Sequence, residues 1–486
     1  MKKKHVYLLK NYNSNLITML FRYNSVRAIS IIIIIAFSFL FSNCSNEQKK
    51  ISYEQLEKAK IYNDVKSKYN ESILYSLYLP SSYDETKKHP IIIFFDAHAK
   101  GYNGVDLMKD YAEKYGYILV GSNNSKNGLT EEEYNYISTN LFNEIFNRFS
   151  INNNRVYLAG FSGGARVASS IATQRGGING VIGFSASPGN NINNFVMKNV
   201  WFYGFCGDYD MNYNEMIQIE SLLQKTKIKH TLTVFNGKHE LPSKSKVEDL
   251  FVWLEADAMA NNLKEKDTTK INYWLKSYQD SATLKVNTND LIEALVIYNK
   301  IIMYFDNLTD VYKYKQLQLE LLGNKKLQKY IEKENVIKEK ETILQTTYQE
   351  EFLKRSLDWW ITEMARYDEE TLGIKDDKEV AMRMRVKSYL SLLAYSYSTN
   401  TLKNNMLNEA EHFINLYKIV DPTNSEHYYL LSTLYAIKND YNGSLKALGD
   451  AINIGFDDYD RLLNDTLLSR YRTMDEFAKI TKSIKR

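Results

Sequence analysis

The amino-acid sequence predicts the α/β fold class: a doubly wound, mostly parallel sheet followed by an all-α domain of helical repeats. In the first half of the chain, short apolar runs alternate with segments of helical periodicity, which is the pattern of β-α units around a parallel sheet. Sixteen of the 21 glycines and four of the five prolines precede residue 258. The second half therefore contains few helix breakers, and we place the boundary near residue 260.

The strands are expected where short apolar runs occur. The seven predicted strands are 73–79, 91–95, 117–121, 155–159, 180–184, 200–203 and 231–235. Helices that lie between most of them, or follow the last, are predicted at 105–115, 131–149, 163–174, 213–225 and 244–259. After residue 260 the sequence shows only helical periodicity, for example over 290–305 and 335–366.

The length of 486 residues exceeds that of one ordinary core, so several units are expected. We divide the chain into a signal peptide (1–44), a tether (45–62), an α/β domain (63–259), a helical region (260–380) and helical repeats (381–486). The formal net charge of +4 is small and the charges are interspersed, which does not favour a nucleic-acid partner. The two cysteines, Cys44 and Cys206, exclude a disulfide framework and a cysteine-rich zinc site.

An apolar run at 28–41, preceded by Arg22 and Arg27, ends shortly before Cys44. A charged segment followed by a short apolar one is the pattern of a secretory signal, and the run is shorter than the roughly 20 residues that span a bilayer. The segment LFSNC (40–44) resembles the lipobox of bacterial lipoproteins. That resemblance implies lipidation of Cys44 and a membrane lipoprotein of the cell envelope, outside the cytoplasm. An uncleaved signal anchor is the alternative.

Near the C-terminus, large and small residues recur with the spacing at which paired helices interlock in tetratricopeptide repeats. One unit carries this pattern at Tyr428, Leu431, Ser432, Tyr435, Ser444, Leu448 and Ala451. An upstream unit, with about four extra residues in its turn, carries it at Leu390, Leu393, Ala394, Tyr397, Ala410 and Pro422. An array of helix pairs offers a concave surface for a protein partner, and a packed helical appendage is the alternative.

A serine lies where a predicted strand turns into a predicted helix. The segment RVYLAGFSGGARVASSIA (155–172) places Ser162 in the G-x-S-x-G spacing, which is informative in this strand-to-helix context. This context resembles the nucleophile turn of the α/β-hydrolases, which implies that Ser162 is a nucleophile. The start of the following helix favours developing negative charge, so the Gly163 amide is a candidate oxyanion donor. A glycine-rich turn with an idle serine is the alternative.

The nucleophile needs a base, and four of the seven histidines lie in the predicted α/β domain. In α/β-hydrolases the histidine follows both the serine and the acid in the chain, and it lies in the loop after the final strand. His239 follows the last predicted strand by four residues. His89, His98 and His230 precede the serine or that strand, so His239 is the candidate base.

An acid is expected after the predicted strand 200–203, where Asp208 and Asp210 both qualify. An aspartate that accepts a hydrogen bond from histidine Nδ1 would fix the useful tautomer. GDYDMNYNEM (207–216) and NGKHELP (236–242) resemble the acid and histidine loops of the esterase D and feruloyl-esterase branch of the superfamily. That resemblance favours Asp210, with Asp208 as the alternative acid.

HPIIIFFDAHAKG (89–101) resembles the strand and oxyanion loop of the same branch, in which His-Gly follows the strand. Here Ala99 stands where glycine is usual. The resemblance implies that a backbone amide of Ala99 or Lys100 pairs with the Gly163 amide to stabilise an oxyanion. The likeness extends over residues 73–259 and includes LYLPSSYD (77–84).

Together these residues predict a secreted, lipid-anchored serine hydrolase, and more specifically a carboxylic ester hydrolase that forms an acyl-enzyme on Ser162. The resemblance implies a small-molecule or carbohydrate ester, such as an acetyl or feruloyl ester, as substrate. A serine peptidase of the same fold, and a non-catalytic scaffold that binds a partner through the helical repeats, are the alternatives. No residue pattern indicates a cofactor or a metal, so neither is expected.

Overall fold

The computed structural model describes residues 56–484. The predicted signal peptide (1–44), its lipidation site Cys44 and residues 45–55 of the predicted tether lie outside the described residues. The described residues from Glu57 onward form one compact unit, so the sheet and the later helices pack together. Among the helices of residues 56–484, none is long and apolar enough to cross a membrane.

Within residues 56–484, eight strands form one sheet in the order β1-β2-β4-β3-β5-β6-β7-β8. The strands are β1 (Ile61–Lys66), β2 (Leu74–Tyr78), β3 (His89–Phe95), β4 (Ile118–Ser122), β5 (Ile151–Phe161), β6 (Gly180–Phe184), β7 (Trp201–Gly207) and β8 (His230–Phe235). β2 lies antiparallel to β1 and β4, and the other neighbouring pairs are parallel. The mostly parallel sheet confirms the predicted fold class.

Helices cover both faces of the sheet. They are α1 (Gly101–Tyr115), α2 (Glu131–Arg148), α3 (Gly163–Gln174), α4 (Ile192–Lys198), α5 (Tyr213–Leu223) and α6 (Glu248–Ala260). α1 and α6 contact each other and share one core with Ile92, Phe94 and Tyr157 of the sheet, whereas α2 and α4 contact α3. The doubly wound arrangement is therefore confirmed.

β1 is not among the predicted strands. Its residues, IYNDVK, lie at the edge of the sheet, and their side chains are exposed or half-buried. An edge strand can be held by backbone hydrogen bonds to a single neighbour, so it needs little apolar surface. Hydrophobic periodicity, the main signal for strands in a sequence, does not reveal a strand of this kind.

The second half is helical, as predicted. Its helices within residues 56–484 are α7 (Thr268–Asn287), α8 (Leu291–Phe305), α9 (Tyr312–Leu322), α10 (Lys325–Glu351), α11 (Leu357–Leu372), α12 (Asp377–Lys403), α13 (Leu407–Val420), α14 (Glu426–Ile437), α15 (Tyr441–Asn453), α16 (Tyr459–Asn464) and α17 (Asp475–Ile480). The prediction of one helix over 335–366 is wrong, because α10 ends at Glu351 and α11 begins at Leu357. Ser356 caps α11 by accepting a hydrogen bond from the Trp359 amide, and side-chain capping of this kind starts a new helix.

The core of the sheet continues into the first helices of the second half. Trp274 of α7, Tyr304 of α8 and Tyr314 of α9 belong to the same apolar cluster as the sheet residues. A second cluster joins α10 to α14, and a third joins α14 to α17. The helical half thus shares the core of the sheet through α7–α9.

The helices at the predicted repeats pack as neighbours along the chain, α12 against α13 and α14 against α15. Ser432 and Ser444, two of the predicted small positions, meet between α14 and α15. Each hydroxyl donates to the other residue's backbone carbonyl, at 2.8 and 2.9 Å. The tetratricopeptide assignment itself stays a prediction.

A buried ionic cluster ties α6 to the sheet. Glu255 on α6 is 1% exposed and lies 2.5 Å from the guanidinium of Arg155 on β5, whose side chain is 6% exposed. Tyr117 donates to the same carboxylate at 3.0 Å, and Lys264 also pairs with it. Burial alone would raise the pKa of Glu255, but Arg155 and Lys264 outweigh it and hold that pKa below the usual value.

Replacing Glu255→Gln is expected to lower the free energy of unfolding at pH 7 by about 3–5 kcal/mol, because Arg155 is left as a buried charge without its main partner. An ionised carboxylate with a lowered pKa stabilises the fold above its unfolded-state pKa of about 4.3 and loses that contribution as pH falls through the folded-state pKa. The difference between wild type and variant should therefore shrink below about pH 4. Denaturant unfolding at several pH values measures both effects.

The matched control is Asp306→Asn, which breaks an exposed ion pair with Lys315. Exposed pairs contribute about 0–1 kcal/mol, so this variant should stay close to wild type at every pH. Equal losses for the two variants at pH 7 would contradict the assigned role of Glu255.

Candidate active site

Ser162 lies on a strained turn between β5 and α3. Its backbone has φ 54° and ψ −122°, a conformation that residues other than glycine rarely adopt. The turn is held by a hydrogen bond from the Ser162 amide to the Phe184 carbonyl, at 2.9 Å. A Cβ atom at Gly164 would collide with the Phe95 carbonyl, so glycine there lets α3 begin against β3. The turn presents the hydroxyl at the carboxyl edge of the sheet.

His239 lies in the loop after β8, and its ring reaches the serine. The Nε2 atom lies 2.9 Å from Ser162 Oγ. The ring of Phe161, the last residue of β5, packs against the imidazole with 5.1 Å between ring centroids. The His239 side chain is 21% exposed, so the serine–histidine pair is fixed by packing yet open to a ligand.

The carboxylate beside His239 is that of Asp210. Its two oxygens lie 2.9 and 3.0 Å from His239 Nδ1, and the side chain is fully buried. One of these oxygens also accepts a hydrogen bond from the Asn212 amide at 2.8 Å. Asp210 is thereby held so that both oxygens face the imidazole.

Asp208, the alternative acid, has a different set of contacts. Its carboxylate accepts a hydrogen bond from the Gly237 amide at 3.1 Å, in the loop that carries His239. The Tyr209 amide donates to the Gly237 carbonyl at 3.0 Å. Asp208 therefore joins the acid and histidine loops, whereas Asp210 meets the imidazole.

The predicted oxyanion loop follows β3 and adjoins the serine turn. Ala99 has φ 61°, a left-handed backbone conformation that glycine adopts more readily than alanine. Buried Asp96 accepts hydrogen bonds from the His98 amide at 2.7 Å and from the Lys100 amide at 3.3 Å. Gly163 is the first residue of α3, where an amide has no acceptor within the helix. The choice of Ala99 or Lys100 as the second donor stays a prediction.

Asp96 is not among the predicted site residues, although it holds the loop that follows β3. Burial raises the pKa of this carboxyl, and the amide hydrogen bonds from His98 and Lys100 oppose that rise by favouring the charged form. Its sequence signal is a carboxylate placed directly after an uninterrupted apolar strand. Such a residue is either exposed or bound by nearby amides, and here it is bound.

A metal ion or the thiol of Cys206 would be the alternative source of reactivity here. Within residues 56–484, no group of three histidine, cysteine or carboxylate side chains is placed to hold a metal ion. Cys206, on β7 near the acid loop, is fully buried, and burial raises the pKa of its thiol well above the usual value. A thiol in this state is a poor nucleophile, so Ser162 is the candidate that the geometry favours.

No family model matches the chain, and no curated protein matches its sequence. Among solved structures, it is similar to a ferulic acid esterase (16% identity, TM-score 0.33, covering 40% of this chain and 97% of that one). It is also similar to an S-formylglutathione hydrolase from Staphylococcus aureus (10% identity, TM-score 0.34, covering 42% and 99%). A third similar structure is Est1E from Butyrivibrio proteoclasticus (13% identity, TM-score 0.33, covering 40% and 100%). In each case the similarity covers less than half of this chain.

Proposed function

We propose that this protein, which has the α/β-hydrolase fold in its first half, is a serine hydrolase that cleaves carboxylic esters through an acyl-enzyme on Ser162. One observation carries the proposal. A continuous chain of hydrogen-bond contacts runs from Ser162 Oγ through both ring nitrogens of His239 to the buried carboxylate of Asp210. This is the arrangement of nucleophile, base and orienting acid that activates a serine.

In the proposed reaction, His239 Nε2 accepts the proton of Ser162 as Oγ attacks the acyl carbonyl carbon. Asp210 keeps the other proton on Nδ1 and stabilises the imidazolium that forms. The Gly163 amide, with that of Ala99 or Lys100, stabilises the negative oxygen of the tetrahedral intermediate. Each such donor contributes about 3 kcal/mol. His239 then protonates the departing alcohol, and a water molecule releases the acyl group by the same route.

The substrate class that we propose is a small-molecule or carbohydrate ester with a short or aromatic acyl group, such as acetate or ferulate. The resemblance of the acid and histidine loops supports this choice. An ester panel that varies the acyl group at constant alcohol tests it. Uniform rates across the panel, or hydrolysis of amides alone, would refute the proposed class.

The test of the function itself uses the wild-type protein, a fluorophosphonate probe and a chromogenic short-chain ester. We expect a single phosphonyl adduct on Ser162, located by mass spectrometry of peptides, and ester turnover that the probe inhibits in parallel with labelling. A folded protein that neither labels nor turns over any ester of the panel would refute the proposal.

We also propose that Cys44 is lipidated and that the protein is held on a membrane of the cell envelope. The support is the signal-like pattern before Cys44. Several acyl chains make such attachment stable, whereas one chain would hold the protein only marginally. Incorporation of radiolabelled palmitate that persists in Cys44→Ala would contradict lipidation at this residue.

A further inference from the structure

The segment that carries Asp210 is held by the helical half of the chain. We call residues 208–213, which connect β7 to α5 and include the first residue of α5, the acid loop. Arg385 on α12 donates a hydrogen bond from Nη1 to the backbone carbonyl of Asp208 at 2.8 Å. Three residues further along α12, Ser388 donates to the carbonyl of Tyr209 at 3.3 Å. Two successive carbonyls that precede Asp210 are thus bound by one helix of the second half.

The far end of the acid loop meets the same arginine. The guanidinium carbon of Arg385 lies 4.4 Å from the centroid of the Tyr213 ring, which is within cation–π range. Burial is the main cause that raises the pKa of Tyr213 to about 12, so the ring stays neutral and packed. Arg385 therefore contacts the acid loop on both sides of Asp210.

Arg385 is itself fixed in place. Its side chain is 6% exposed and pairs with fully buried Glu341 on α10. Both carboxylate oxygens lie 3.0 Å from Nε, and one lies 2.6 Å from Nη2. A planar guanidinium held on one edge in this way has a defined direction for its remaining donors. That direction is toward Asp208.

The bond to Asp208 bears on the rest of the site. The Asp208 side chain binds the Gly237 amide of the histidine loop, and the Asp210 amide donates to the Gly207 carbonyl at 3.2 Å. A shift of the Asp208 backbone would therefore move Asp210 and the loop of His239 relative to Ser162. Displacements of about 1 Å in a reacting arrangement can cost about 100-fold in rate.

A second link joins the two halves at the oxyanion loop. Lys100 lies 3.3 Å from Asp458, the N-terminal capping residue of α16. Because the Lys100 side chain is 43% exposed, this pair is expected to contribute little. The buried contact through Arg385 is the one that fixes geometry.

We propose that Arg385 is a positioning residue of the active site, and that the helical half is a working part of the hydrolase because it holds the acid loop in register with His239. This inference rests on the proposed function. It predicts that a substitution of Arg385 lowers turnover more than a substitution elsewhere in the chain that costs the same stability.

α12 supplies a matched control. Arg383, two residues earlier, has a side chain that is 8% exposed and pairs with Glu370 at 2.9 Å. It also donates to Thr371 and lies over the ring of Tyr367, 4.0 Å from the ring centroid. These partners all lie in α11, so Arg383→Met removes a comparable set of contacts within the helical half.

The experiment compares Arg385→Met and Arg383→Met in the full-length protein, with kcat, KM, the rate of fluorophosphonate labelling and the melting temperature as readouts. We expect similar falls in melting temperature. Only Arg385→Met should lower kcat and the labelling rate, by about 10- to 100-fold, with little change in KM. Arg385→Lys, which can keep an ion pair with Glu341 but cannot match the donor geometry at Asp208, should fold and show an intermediate kcat.

Two results would overturn the inference separately from the proposed function. If the wild type is active and Arg385→Met has the same kcat as Arg383→Met, the inference is refuted. If Arg385→Met does not fold, full wild-type kcat in folded Arg385→Lys would refute it equally. A wild type without labelling or turnover would instead refute the proposed function, and the inference with it.

Discussion

Ser162→Ala is expected to lower kcat by about 10⁶-fold, because loss of the nucleophile removes the acyl-enzyme route and leaves only binding and the oxyanion donors. The same variant should not react with the fluorophosphonate probe. The fold should persist, since the substitution removes one partly exposed hydroxyl. The backbone turn is still held by the hydrogen bond from the amide of residue 162 to the Phe184 carbonyl. Turnover of a chromogenic ester, measured over long incubations, gives the residual rate.

Ser169→Ala is the matched control for this prediction. Ser169 lies on α3, seven positions after Ser162, and its buried hydroxyl donates to the Ala165 carbonyl at 2.8 Å. Removing it deletes a hydroxyl from the helix that follows Ser162 without touching the proposed triad, so kcat and labelling should stay within about twofold of wild type. Residual turnover by Ser162→Ala above about 1% of wild type would point to another nucleophile.

The sheet was predictable because seven of its strands are apolar runs separated by glycine-rich or helical segments. Buried parallel strands need apolar residues on both faces, as in IIIFF at 91–95, and such runs are visible without any alignment. β1 lacks this signal because it is a polar edge strand. The break between α10 and α11 was missed for a related reason. Helical periodicity continues through 352–356, and the capping contact of Ser356 marks where α11 starts.

The candidate site was predictable to the level of loops. The strand-to-helix turn identifies Ser162, and chain order leaves His239 as the histidine that follows the last strand. The choice between Asp208 and Asp210 depended on resemblance, because two aspartates one residue apart share the same loop and similar propensities. In the structure the distinction arises from backbone direction, which places the carboxylate of Asp210 toward Nδ1 and that of Asp208 toward the Gly237 amide.

Arg385 could not be identified from the sequence. It lies 175 positions after Asp210 along the chain. In addition, α12 carries two buried arginines, at 383 and 385, which the sequence alone does not distinguish. Whether such a residue pairs within its own half or reaches the acid loop is decided by how the helices pack on the sheet. Long-range docking of this kind is a tertiary property, so the spacing of residues in one helix does not encode it.

Asp210→Asn is expected to lower kcat by about 10⁴-fold with little change in KM. An amide at this position can donate toward Nδ1, which stabilises the tautomer that carries its proton on Nε2 and cannot accept the proton of Ser162. The size and shape of the side chain are preserved, so the turn and the Ser162–His239 contact should remain. Stopped-flow measurement of the acylation burst locates the loss in the chemical step.

Asp208→Asn distinguishes the role of Asp208 from that of Asp210. The substituted side chain keeps an oxygen that can accept the Gly237 amide hydrogen bond now made by the carboxylate, and it leaves the Asp208 carbonyl free to bind Arg385. Exchanging a charged for a neutral acceptor costs about 1 kcal/mol, so we expect kcat to fall by no more than about tenfold. The reverse ranking of the two variants would reassign the acid to Asp208. It would also mean that the loop rearranges when substrate binds, because in the present geometry only Asp210, of the two, reaches the imidazole.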